Sequence, residues 1–120
     1  MKNQIEIQKR FLEEDARMRL GHLASDLARI ASLVQVQAKE ETVKSVIEEG
    51  KFFAEWAAQG VELEIQIFLA EIQSFLARTE LEWETLSKDT PWRVKIAERT
   101  RNWSEELLRK SGFFNSDEQD

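Results

Sequence analysis

The chain has no cysteine and no tyrosine, and only one proline, four glycines and one histidine in 120 residues. Without cysteine there is no disulfide framework, no thiolate nucleophile and no Cys-ligated zinc, and a lone histidine removes most imidazole-based metal sites. The shortage of glycine and proline leaves little material for the tight turns of a β-rich fold. The longest uninterrupted apolar run is Ile67-Phe68-Leu69-Ala70, far short of the roughly 20 residues that span a bilayer. The first twenty residues become charged too soon to form the apolar region of a signal peptide. These absences predict a cytoplasmic protein with no membrane partner, in which the Asn102-Trp103-Ser104 sequon carries no meaning.

What is present points to one folded domain with a heavily ionised surface: 42% of residues are hydrophobic and 33% charged, in a chain of ordinary single-domain length. The net charge of −6 opposes binding to a nucleic-acid backbone or an anionic membrane, and no strongly basic stripe offsets it. Charge is unevenly placed, however. Residues 41–86 hold three basic and ten acidic side chains. The last segment carries Arg93, Lys95, Arg99, Arg101, Arg109 and Lys110, which predicts that it lies against the Glu80, Glu82 and Glu84 edge. The alternative is that the acidic face receives a basic partner.

Helical periodicity dominates. Leu20, Leu23, Leu27, Ile30 and Val34 follow Ala16 at spacings of 4, 3, 4, 3 and 4, a seam that small residues Ala24, Ala28 and Ala31 widen for close helix contact. The seam fails at Gln37 and Glu41 and restarts at Val43, with Thr42 or the Ser45-Val46-Ile47-Glu48 box as candidate caps. Gly50 falls on the core side, and Gly60 suits the left-handed residue that follows a last turn. Val61-Glu62-Leu63-Glu64-Ile65-Gln66-Ile67 alternates strictly and taken alone reads as a strand, with Ile5-Glu6-Ile7 as a conceivable ribbon partner. The longer pattern Val61, Ile65, Phe68, Ile72, Phe75 favours a helix over 61–87. Asp89-Thr90-Pro91 opens the last helix, with Thr90 as cap and Pro91 in its first turn, and Ser111-Gly112 closes it.

The expected architecture is therefore all-α: an antiparallel four-helix bundle over residues 1–114, followed by a mobile acidic tail at 115–120. A first helix over 4–37 would be roughly 50 Å long at 1.5 Å per residue and would overhang its neighbours. Either Gly21 breaks it, or its apolar residues Ile5, Ile7, Phe11 and Leu12 pack against a second copy. We favour the second alternative, a homodimer built on those four residues.

Little in the sequence points to chemistry. There is no Glu-x-x-His pair of the kind that builds di-metal bundles, and Glu62, Glu64 and Glu71 are expected on solvated faces, so no metal or cofactor is implied. Serine and threonine form no nucleophile constellation, and no glycine-rich phosphate loop is present. Arg17-Met18-Arg19-Leu20-Gly21-His22 resembles the Arg-x4-6-His motif of the HEPN family, small all-helical domains that include ribonucleases. The resemblance implies a catalytic pair in which His22 acts as general acid or base and Arg17 stabilises developing phosphorane charge. The other reading places both residues on the flanks of a long helix.

Phe52, Phe53 and Trp56 cluster within five residues. Phe52 and Trp56 lie off the Val43-Ile47-Ala54 seam, so they are the aromatics expected to emerge and to dock a partner; the other reading buries them in the core or a dimer interface. The leading expectation is a non-enzymatic helical interaction module that self-associates and docks an unidentified protein partner through an aromatic and acidic face. An HEPN-like ribonuclease and a bundle enclosing an apolar ligand are the alternatives.

Overall fold

Every regular element in the computed structural model, which describes residues 3–36 and 39–112, is a helix: α1 (Gln4–Leu12), α2 (Ala16–Leu33), α3 (Glu40–Trp56), α4 (Leu63–Leu86) and α5 (Thr90–Ser111). No strand occurs among the described residues. The expectations for 115–120 lie outside them.

The long N-terminal helix is not formed. It divides at Glu13-Glu14-Asp15, six residues before Gly21. Asp15 takes an extended conformation and its Oδ1 accepts from the Met18 amide at 2.9 Å, capping α2. Three consecutive acids suit the positive end of a new helix and would oppose the negative end of an old one. The short arm α1 then folds back on its own chain. Phe11 is buried, stacked on Phe53 with ring centroids 4.3 Å apart and beside Trp56 at 6.0 Å.

Two helix pairs make up the remainder. α2 packs most extensively on α5 and α3 on α4; α2 and α3 join the pairs, whereas α4 and α5 touch sparingly. The Leu20-to-Val34 seam is buried, as its spacing predicts, and Ala24, Ala31, Ala97, Thr100 and Ser104 keep the α2–α5 contact close. Ser104 Oγ donates to the Ala24 carbonyl at 2.7 Å across that contact, which satisfies a hydroxyl that burial would otherwise penalise. At the α3–α4 contact, a methyl group on Gly50 would come within 3.2 Å of Leu76 Cδ1, so glycine permits the approach.

Polar side chains tie the turns. Arg19 is nearly buried and donates to the Glu14 and Gln59 carbonyls, holding the α1–α2 turn to the turn after α3. Gly60 in that second turn has φ +77°, the left-handed region that favours glycine. Arg93 donates to the Val34, Val36 and Ser87 carbonyls and lies 5.2 Å from the Trp83 ring centroid, joining the end of α2 to the α4–α5 turn.

Several boundaries differ from those expected. α3 begins at Glu40, so Thr42 and Ser45 lie inside it and cap nothing, and α5 is preceded by Asp89 with Thr90 already helical. Two of the three acids of that α4 edge meet α3 rather than α5: Lys51 Nζ lies 2.7 Å from Glu80 and Lys44 Nζ 2.9 Å from Glu84. The basic residues of α5 are used otherwise, with Arg99 over the Phe75 and Trp103 rings and Lys110 over Phe68. Aromatic faces attract these cations without requiring an acidic neighbour.

Candidate interaction surface

α4 carries apolar side chains on two opposite faces. Leu69, Ile72, Leu76 and Trp83 are buried toward α3 and α5. On the far side, Leu63, Ile67, Ala70, Ser74, Ala77 and Leu81 follow one another at spacings of 4, 3, 4, 3 and 4, a second helical seam. Leu63 is 70% exposed, Ile67 62% and Leu81 83%; Ala70 and Ser74 are exposed and Ala77 is half-buried. The ladder runs for about 27 Å at 1.5 Å per residue. A helix that is hydrophobic on both sides is ordinarily covered on both, and three of the large exposed apolar residues of the described chain stand in this one line.

Charged and amide side chains border the ladder. Glu64, Glu71 and Arg78 are exposed along the edge nearer α5. Gln66, Gln73 and Glu80 are half-buried along the edge nearer α3, where Gln66 donates to the Ala58 and Val61 carbonyls and Glu80 meets Lys51. An apolar stripe between polar borders is the pattern that seats a partner helix. The alternation over Val61–Ile67 is ambiguous between strand and helix in sequence and does not by itself show this face. On a helix, alternation places Val61 and Ile65 on one face and Leu63 and Ile67 on the other, and this is the signal the sequence carries.

The aromatic pair expected to dock a partner is not an exposed pair. Trp56 is 5% exposed, beside Phe53 at 5.9 Å and Phe52 at 5.5 Å, and Phe52 is half-buried under the Lys51 ammonium. The fold-back of α1 covers the aromatic flank, an event that the seam of α3 alone does not encode. The same event alters the residues assigned to self-association. Phe11 is buried within its own chain, Ile7 and Leu12 pack partly against the core, and only Ile5, 84% exposed, remains open.

Arg17 and His22 are not brought to one point. Five residues apart on α2, they stand about 140° apart around the helix axis. His22 turns to the α1–α2 turn, with Nε2 2.6 Å from Glu14 Oε1 and its ring 6.2 Å from that of Phe11. An open cleft of about 230 Å3 lies here, lined by Ile7, Arg10, Phe11, Glu14, His22 and Phe53. A larger cleft of about 520 Å3 lies at the α4–α5 turn, with a mixed wall in which Val34, Trp83 and Val94 stand beside Glu40, Lys88 and Arg93. Glu62, Glu64 and Glu71 are exposed, and no three acidic or histidine side chains converge among the described residues. Nor is any helix there long and apolar enough to cross a membrane.

One buried acid stands out. Asp26, 4% exposed on α2, shares a hydrogen bond with Glu49 on α3, and Arg29 Nη1 lies 3.7 Å from its Oδ1. Burial first, then the hydrogen bond and negative charge of Glu49, push the Asp26 carboxyl up to about 8. The surface pair behaves oppositely: Lys44 holds Glu84 below the usual carboxylate range through a hydrogen bond, and is itself raised.

No protein-family model, curated protein or solved structure matches this chain.

Proposed function

We propose that the chain is a non-catalytic helical interaction module that self-associates through the outer face of α4. The observation that carries this reading is the ladder from Leu63 to Leu81: apolar at helical spacing, exposed, and bordered by polar side chains. A second copy supplies an identical ladder and is the commonest partner for such a face in symmetric assemblies. The antiparallel four-helix arrangement and the cytoplasmic setting expected from the sequence belong to the same proposal. So does the absence of catalysis, which the separation of Arg17 from His22 supports.

Sedimentation equilibrium from micromolar to near-millimolar concentration tests it. The wild-type chain sediments as a dimer at the upper end, and the Ile67→Glu/Leu81→Glu variant sediments as a monomer with an unchanged helical circular-dichroism spectrum. A wild-type chain that stays monomeric throughout overturns the proposal.

A further inference from the structure

The outward ladder of α4 reads alike from either end. Its positions are placed symmetrically about Ile72: Leu63 mirrors Leu81, Ile67 mirrors Ala77, and Ala70 mirrors Ser74. The exposed border follows the same symmetry one residue away, with Glu64 and Arg78 on either side of Glu71. We propose, resting on the reading of α4 as the contact face, that it pairs with α4 of a second copy in an antiparallel two-fold arrangement centred near Ile72.

The pairing follows from helix geometry. In an antiparallel pair each ladder position meets its mirror position, so Leu63 packs on the partner's Leu81 at both ends and Ile67 on the partner's Ala77. The small Ala70 and Ser74 meet at the centre, where the backbones approach most closely. Glu64 faces the partner's Arg78, twice per dimer by symmetry. A parallel pair loses this: its border contacts would set Gln66 against Glu71, Gln73 against Arg78 and Glu80 against Thr85, with no pair of opposite charges. The large side chains would also crowd together at Leu81 and leave Ala70 and Ala77 facing themselves. One contact opposes the antiparallel arrangement. Glu71 meets its own copy across the axis, a like-charge pair that limits affinity.

Charge reversal and directed cross-linking test the geometry. Glu64→Arg and Arg78→Glu each turn two attractive pairs into repulsive ones and weaken the dimer about tenfold. The Glu64→Arg/Arg78→Glu double variant restores it to within about threefold of wild type, because both pairs are rebuilt with exchanged signs. Glu71→Gln tightens it. With no native cysteine to interfere, the Ala70→Cys and Ser74→Cys proteins form a disulfide with each other on oxidation, and neither does so efficiently with itself. Self-linking of each protein in preference to the mixed product overturns the arrangement. So do charge variants that leave the dimer unaltered while Ile67→Glu dissolves it, an outcome that keeps α4 as the contact face. A wild-type chain that is monomeric at every concentration overturns both.

Discussion

Replacing Asp26 by asparagine should stabilise this protein more the higher the pH. Asp26 is 4% exposed between α2 and α3, and its carboxyl is raised from an ordinary 3.8 to about 8, first by burial and then by Glu49, with Arg29 opposing weakly. Its folded pKa therefore lies above its unfolded one, so the native state binds a proton that the unfolded chain releases between about pH 4 and 8. The contribution of Asp26 is most favourable below pH 4 and is lost as pH rises toward 8. Asparagine keeps the shape and can donate to Glu49 as the protonated acid does, yet it never ionises. The stability difference between variant and wild type should thus grow by about 1.4 kcal/mol per pH unit, or about 3 kcal/mol between pH 5 and pH 7, as an upper bound. Urea unfolding at pH 5, 6, 7 and 8, followed by the fluorescence of buried Trp56, Trp83 and Trp103, measures this directly. Glu49→Gln, which removes the neighbouring charge, should make the decline of an otherwise wild-type chain level off at a lower pH. Parallel pH profiles for wild type and Asp26→Asn, or a variant that is the less stable at pH 8, would refute the reasoning.

Two residues apart on α4, Ile67→Ala and Leu69→Ala should behave oppositely. Leu69 is fully buried and its truncation should cost about 2–5 kcal/mol, whereas Ile67, 62% exposed, should change monomer stability by about 0.5 kcal/mol or less in urea unfolding at low concentration. Phe11→Ala should cost about 3–5 kcal/mol and open the Glu13–Asp15 turn to limited proteolysis, since Phe11 is the ring that holds α1 to Phe53 and Trp56. Arg19→Met removes donors from two carbonyls in separate turns; the loss of about 1.5–3 kcal/mol should be largest in hydrogen-exchange protection around Gly60.

The α2 seam illustrates what can be read in advance. Leu20, Leu23, Leu27, Ile30 and Val34 are apolar at helical spacing with small residues beside them, and each of the five is buried. The stop at Gly112, with φ 91°, and the proline in the first turn of α5 are likewise local matters of backbone conformation. The division of the first helix has a local signal too, in the acids of Glu13-Glu14-Asp15, of which Asp15 caps α2. Trp56 shows where reading ahead fails. Its exposure depends on whether α1 returns to α3, and that rests on Phe11 meeting Phe53, residues distant in the chain.

Periodicity and end signals in the sequence were therefore sufficient for the helical class, most of the seams and several helix ends, because each depends on residues within a turn or two of one another. The direction of α1, the pairing of α2 with α5 and of α3 with α4, and the choice of Asp26 and Glu49 as neighbours were decided only in the tertiary structure. So was the fate of the two apolar faces of α4. A local pattern makes both equally fit for burial, and only the volume available beside α3 and α5 determines that Leu69 is covered while Ile67 is left to solvent.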